Sequence, residues 1–394
     1  FKESLAAPQV AEAIARGVLV ACADAQVDLC PMADGGEGTV EAMVAATGGR
    51  FLSADVFDPL GRPIRARFGL LSAPAGALLP GEVGLTAAQA AAEGDAPVGG
   101  AKTAVIEMAA ASGLTLVPLE KRDPLRTTSY GTGQLIVAAM DAGARQIILG
   151  IGGSATVDGG CGAAQAMGVE FLDSDGEECI CGLGGGGLAS IATIDCSTRD
   201  KRLDETHICV ACDVNNPLTG PEGAAAVFAP QKGATDETVV QLEAGLSHLA
   251  AMIREQLGID IETIPGAGAA GGLGAGLIAF ASATLENGGK LIADAVDLPH
   301  RLRGADLCIT GEGKLDAQSL FGKVPIRVAN LAGQEGVSTI CIAGVVADDA
   351  PRERFREVHA LVAGGVTPEA AMLDPAAIIQ VRTEAAIRAF LKSV

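Results

Sequence analysis

The sequence has no tryptophan, one tyrosine and ten phenylalanines in 394 residues, so its core must be built from Ala, Val, Leu and Ile rather than rings. Basic residues are scarce too: 28 Lys and Arg stand against 48 Asp and Glu, a formal charge of −20. A chain without a basic footprint is a poor general binder of nucleic acid or of an anionic membrane. No basic-then-apolar stretch follows the opening Phe1-Lys2-Glu3-Ser4, so no secretory signal is expected. The longest uncharged stretch includes residues 266–285, which hold six glycines and follow Pro265. It reads as a buried helix with a glycine-rich lead-in rather than a membrane span.

Two things are plentiful. Hydrophobic residues make up 49% of the chain, which excludes disorder, and 53 glycines without a collagen period imply many turns and close backbone approaches. Ten cysteines scatter through apolar runs as buried thiols do, so a reducing cytoplasm is the expected compartment. Cys179/Cys181 and Cys209/Cys212 are spaced like metal ligands, but the second pair lies in the strand-like His207-Ile-Cys-Val-Ala-Cys-Asp213. Residues three apart on a strand point to opposite faces, so a shared zinc ion is not expected there.

Along the chain, helical periodicity predicts a helix over 8–25, followed by a short strand at 27–30 and the turn Asp34-Gly-Gly-Glu-Gly-Thr39. A helix over 39–46 and strands near 51–57 and 64–71 come next. Residues 72–102 are rich in Ala, Gly and Pro without a pattern and read as an inserted linker or loop. Then come strands at 103–107, 146–149 and 208–211 and helices at 133–142, 161–167 and 236–257. The last third alternates strands at 307–309, 339–343 and 360–361 with helices at 324–332 and 376–391. That alternation implies parallel sheet covered on both faces.

Four glycine-rich segments could cradle phosphate, and none fits the P-loop pattern. Gly150-Ile-Gly-Gly-Ser-Ala-Thr-Val-Asp-Gly-Gly160 follows an apolar strand and precedes a helix, an anion-binding arrangement with Gly152, Gly153 and the hydroxyls of Ser154 and Thr156 at hand. Gly266, Gly268 and Gly271 spell G-x-G-x-x-G, but Pro265 stands where a dinucleotide fold needs a strand. The others are 182–187 and Thr310-Gly-Glu-Gly-Lys-Leu-Asp316. Acidic residues border strands in polar turns: Asp34, Glu37, Asp158, Asp213 with Asn215 and Asn216, Glu312 and Asp316. Lys232, Lys314 and Lys323 could supply positive charge nearby. Carboxylates, lysines and glycine turns together suit a Mg²⁺–nucleotide site, because phosphoryl transfer needs hard oxygen ligands, donors around phosphate and a base.

Together with Phe1-Lys-Glu-Ser4, Met32-Ala-Asp-Gly-Gly-Glu-Gly-Thr39, Ala104-Val-Ile-Glu-Met-Ala-Ala-Ala-Ser-Gly-Leu114, Thr128-Ser-Tyr-Gly-Thr-Gly133, Cys212-Asp-Val-Asn-Asn-Pro-Leu218 and Phe228-Ala-Pro-Gln-Lys-Gly233, these segments resemble the type-1 glycerate kinase family, in order and over nearly the whole chain. The resemblance implies phosphorylation of D-glycerate by ATP and Mg²⁺, most often at the 2-hydroxyl, in a cleft between two domains. It implies an α/β fold: a flavodoxin-like (Rossmann-like) parallel domain from both chain ends, 1–71 and 286–394, and a second α/β domain, 103–285, inserted after the 72–102 linker. Family members usually carry a strand and an Ala-Pro-Asp-Ser turn ahead of the Phe-Lys-Glu-Ser motif. This chain starts at that motif, so the expectation is that either it is cut short or the segment is missing. The family's usual Asn before Asp158 is Val157 here, and 72–102 replaces a short turn.

On that basis Lys2, Ser4 and the Ser154 loop are expected to take the glycerate carboxylate, with Asp34, Glu37 and Asn215 around the substrate. Asp213 and Asp316 are the expected Mg²⁺ ligands or general base, with Glu312 and Asp158 behind them. Phosphate is expected to meet Gly152, Gly153, Lys232, Gly268, Gly271, Glu312 and Lys314. A glycerate 3-kinase, an NAD-dependent dehydrogenase using 266–271, and an inactive small-acid-binding relative remain alternatives. The oligomeric state is open, a homodimer being one option.

Overall fold

The computed structural model describes residues 4–33, 35–72, 102–179, 182, 184–320 and 323–393. The expected linker at 72–102 therefore lies almost wholly outside the described residues, as do Lys2 and Asp34. The fold is mixed α/β with parallel sheets. A six-stranded sheet has the order β1 (Arg50–Phe57), β2 (Pro63–Leu70), β3 (Lys102–Glu107), β4 (Ala144–Gly150), β7 (His207–Ala211), β8 (Thr284–Glu286). Strands β3, β4, β7 and β8 run parallel, and the β1–β2 hairpin adds antiparallel to β3. Strands β5 (Glu170–Leu172) and β6 (Thr193–Asp195) form a separate antiparallel pair.

The near-continuous apolar runs of the parallel strands are explained by burial on both faces. Ala104, Ile106, Ile147, Leu149, Ile208 and Val210 face one way, against Leu135, Ile136 and Met140 of α3 (Tyr130–Asp141). The alternate residues Val105, Ile148, Cys209 and Ala211 face Val40, Met43 and Val44 of α2 (Thr39–Thr47) and Leu291 and Ile292 further on. Packing of α1 (Ala7–Ala21) occurs elsewhere in the molecule.

A second, three-stranded parallel sheet has the order β11 (Glu357–Ala360), β10 (Thr339–Val346), β9 (Cys308–Leu315). Ile340 and Ile342 of β10 are buried against α1 and the last helix, Pro375–Leu391; Cys341 and Ala343 face Ile326 and Ala329 on the other side. The first and last helices touch so closely that a Cβ on Gly17 would stand 2.5 Å from the Gln380 carbonyl oxygen. One apolar cluster, including Ala46, Ala293, Leu298, Leu302, Val328 and Ala332, joins the two sheets.

Two expectations need correction. Residues 50–70 belong to the sheet that continues through 102–286, so the sheets do not divide at residue 71. The segment 27–30 forms no strand: Val27 and Leu29 are partly exposed, and no ladder partner lies beside them among the described residues. Strand propensity needs a neighbouring strand to satisfy its backbone groups. Strand β9 is longer than expected and carries the glycine-rich Gly311-Glu-Gly-Lys314 inside the sheet.

The Gly266–Gly274 segment is also reassigned. It leads into α4, as we label Ala269–Ala281, where Ala270, Gly271 and Gly272 are left-handed. The helix lies directly on the loop at 156–160. A Cβ on Gly271 would stand 1.9 Å from the Thr156 carbonyl oxygen, and one on Gly268 2.1 Å from that of Pro217. Both glycines are buried, so they serve backbone packing rather than a nucleotide. No helix among the described residues is long and apolar enough to cross a membrane. Gly271→Ala should cost at least about 2 kcal/mol, from left-handed strain and overpacking together. Urea denaturation checks this, and an unchanged midpoint would show that the contact can relax.

Candidate active site

Parallel register places four strand ends on one line. Glu107 pairs with Gly150, Gly150 with Ala211 and Ala211 with Glu286, each the last residue of its strand. The loops that leave this line carry most of the expected site. In parallel α/β sheets the ligand crevice lies outside the carboxyl ends of the strands.

Residues 35–38 lie across the line. A Cβ on Gly150 would stand 2.4 Å from the Gly35 carbonyl oxygen, and one on Gly152 3.2 Å from the Gly36 Cα. Glu107 Oε1 accepts the Val40 N–H at 2.8 Å, which ties the start of α2 to the end of β3. Burial raises the Glu107 carboxyl above its ordinary range, with the Val40 bond opposing. Glu37, Gly152 and Gly153 are exposed and Ser154 is half-buried.

Inside the 150–160 loop the structure departs from expectation. Asp158 is fully buried, and its Oδ2 accepts from the Ser129 N–H and hydroxyl at 2.7 Å each, while Oδ1 accepts from the Gly160 N–H at 3.1 Å. Burial raises its carboxyl, and the bonds from Ser129 and Gly160 pull the other way. A carboxylate so enclosed organises the turn and cannot reach a substrate, which corrects the catalytic expectation for Asp158. Lys232 is likewise only 1% exposed; its ammonium donates to Ser154 Oγ at 2.7 Å and to the Thr156 carbonyl at 2.6 Å. It holds the loop from within instead of meeting phosphate, a second correction. Val157, where the family usually carries Asn, packs in the apolar cluster with Leu242 and Leu246.

After β7, Asp213 and Asn215 are exposed. Asp213 Oδ1 accepts from Asn287 Nδ2 at 2.6 Å and from the Gly288 N–H at 3.0 Å, at the N-terminus of α5 (Gly288–Ala295). Asn287 caps that helix through the Lys290 N–H and also accepts from Arg327, which lies on α6 (Val324–Gln334) beside the second sheet. A chain of bonds therefore links the end of β7 to the other half of the molecule.

On β9 and just beyond it, the second group assembles. Ser319 donates to Glu312 at 2.7 Å, Lys323 lies 3.8 Å from Glu312 and 3.6 Å from Asp316, and Lys314 lies 3.2 Å from Asp316. Burial raises the Glu312 carboxyl against the Ser319 bond and the Lys323 charge. At Asp316 burial works in the same direction, but Lys314 and Lys323 outweigh it and hold the carboxyl below its ordinary range.

An open trough of about 2210 Å³ is lined by Ser4, Glu37 and Glu107 together with Glu312, Lys314 and Lys323, while Ser154, Asp213, Asn215 and Asp316 lie outside its lining. Among the described residues, Asp213, Glu312 and Asp316 do not converge as one ligand set. Glu107, Asn287 and Arg327 escaped sequence reasoning. Glu107 ends an apolar strand, a readable signal; Arg327 is joined to Asn287 only by folding.

A mixed α/β protein with acidic and glycine turns on one wall of a trough and lysine–carboxylate pairs on the other is built as an enzyme of small polar substrates. A family model described as the glycerate kinase family matches residues 1–391. The chain is 48% identical over 349 residues to the glycerate 2-kinase of Escherichia coli K12, covering 89% of this chain and 84% of that protein. It is 45% identical over 394 residues to the glycerate kinase of Bacillus subtilis 168, covering 100% and 96%. A crystal structure assigned as glycerate kinase 2 from Salmonella typhimurium LT2 superposes with a TM-score of 0.85 at 45% identity, over 100% of this chain and 96% of that one. This chain belongs to the glycerate kinase family.

Burial pulls the Lys232 ammonium down to about 7, with Asp158 working to raise it. Between about pH 7 and its ordinary value of 10.5 the unfolded chain binds a proton there that the folded chain does not, so stability rises with pH. One such group contributes at most about 1.4 kcal/mol per pH unit. Urea midpoints from about pH 7 to 8.5 should climb less steeply in Lys232→Met than in the wild type; equal slopes would mean that the ammonium is not desolvated.

Proposed function

We propose that this kinase transfers the γ-phosphate of ATP to a hydroxyl of D-glycerate, giving 2-phosphoglycerate, in a cleft between the two sheets. The observation that carries this reading is the 48% identity to a protein named glycerate 2-kinase, over 89% of the chain. It is supported by Glu312, Lys314 and Lys323 lining one trough together with Glu37 and Gly38.

In this reading the two sheets correspond to two domains, the second flavodoxin-like, and each holds one substrate. Lys314 and Lys323 neutralise phosphate oxygens. Glu312 and Asp316 are the candidate Mg²⁺ ligands; a cationic group, the Lys323 ammonium, already sits between their oxygens, so the donor set suits a hard cation. When bound, Mg²⁺ would neutralise charge developing on the transferred phosphoryl group. At the carboxyl ends of the larger sheet's strands, Ser154, Asn215 and the N–H groups of Gly152 and Gly153 bind the glycerate carboxylate, with Ser4 and Glu37 alongside. Lys232 fixes the Ser154 hydroxyl in place. Lys2 and Asp34 stay candidates on the family resemblance.

Asp213 is our candidate general base. Two donors on its Oδ1 orient the carboxylate to take the proton of the acceptor hydroxyl. A reducing compartment belongs to the same reading, supported by nine described cysteines that are all free thiols.

Asp213→Asn should lower kcat by about 10²–10⁴-fold with circular dichroism unchanged; near-normal turnover would remove Asp213 from the chemistry. ATP consumption should depend on D-glycerate, and ³¹P NMR should show 2-phosphoglycerate. A 3-phosphoglycerate signal would correct the position, and glycerate-independent ATP loss would overturn the assignment.

A further inference from the structure

Behind the line of strand ends, one face of β7 and β8 carries donors that the phosphoryl-transfer site does not use. The alternation that separates Cys209 from Cys212 puts His207 and Cys209, two residues apart, on the same side. Cys209 lies opposite Thr284 and Ala211 opposite Glu286 in the parallel ladder, so Glu286 projects from that side as well. One ligand atom from each of His207, Cys209 and Glu286 lies within 4.8 Å of the other two. Cys209 is buried, and the other two are half-buried. The Cys209 thiol lies 3.7 Å from Glu286 Oε1, and Thr284 Oγ1 lies 3.7 Å from the sulfur.

These separations suit a tetrahedral ion. With bonds of about 2.0–2.3 Å to nitrogen, oxygen and sulfur, neighbouring ligand atoms stand roughly 3.5 Å apart. The sulfur and carboxylate are already close to that spacing, and an imidazole nitrogen lies within 4.8 Å of both. A thiolate, an imidazole and a carboxylate select a borderline ion over a hard one such as Mg²⁺. Lys290, 3.8 Å from Glu286 Oε2, now balances the carboxylate and would be relieved of it.

We propose that His207, Cys209 and Glu286 form a site for a borderline divalent transition-metal ion, best suited to Zn²⁺, separate from the Mg²⁺–nucleotide position. Three protein ligands leave a fourth position for water. The bland reading of the same atoms is a buried thiol that donates to Glu286. Burial pushes that thiol up to about 11, so an ion must displace its proton on binding. The site also touches the reaction machinery through the chain, since Glu286 directly precedes Asn287, which donates to Asp213.

Co²⁺ is the probe, added to the full chain in a non-thiol reductant. One equivalent should produce a sulfur-to-cobalt charge-transfer band in the near ultraviolet with tetrahedral bands in the visible. Cys209→Ser should abolish the near-ultraviolet band, while Cys179→Ser should keep it. His207→Ala and Glu286→Gln, both at half-buried positions, should each weaken Co²⁺ at least about tenfold, since even outer-shell losses commonly reach that size. Circular dichroism separates loss of binding from loss of fold. The absence of a thiolate band in the wild type, or a band that survives Cys209→Ser in the folded protein, would overturn the proposal. So would unchanged Co²⁺ affinity in His207→Ala and Glu286→Gln.

Discussion

Parallel pairing is the constraint on which the rest depends. Because β3, β4, β7 and β8 run the same way in register, Glu107, Gly150, Ala211 and Glu286 end on one row, and the larger sheet's loops with candidate site residues leave from one edge. That crowding sets the backbone chemistry of the edge. The 35–38 loop must cross the row at van der Waals distance, and α4 must lie on the 156–160 loop just as closely. Side chains would not fit at those crossings, and much of the glycine content is spent there.

The crowding also sorts charge into two kinds. Asp158 and Lys232 are sealed inside the loop and satisfied by backbone groups and hydroxyls, so they act on geometry. Removing one partner from such a place leaves the other buried and uncompensated. Glu312, Asp316, Lys314 and Lys323 stand at a wetter boundary, in ion pairs with one another. A net charge of −20 is thus no obstacle to anionic substrates. The charge that matters is local: Lys314 and Lys323 bring positive charge to the trough's lining.

Much of this was legible in the residues. The helix over 236–257 is observed as Asp236–Leu257, and 376–391 as Pro375–Leu391, because long amphipathic periods with caps leave little ambiguity. The collinear motifs identified the family. Individual roles were less readable, because a motif names residues without saying which way they face. Asp158, Lys232, Gly268 and Gly271 all lie in motifs, and all four turn inward. The 27–30 segment has strand composition, but a strand exists only beside another strand.

By itself, then, the sequence determined the class of fold, most of its elements and the family, since these follow from periodicity and from residues in order along the chain. Tertiary structure alone decided which carboxylates are solvated and which are sealed, and that residues 50–70 join the larger sheet. It also decided that Arg327 supports Asn287 and that His207, Cys209 and Glu286 meet. Those outcomes depend on distances between segments far apart in the chain, and burial, which governs the cost of charge, is a property of the assembled neighbourhood.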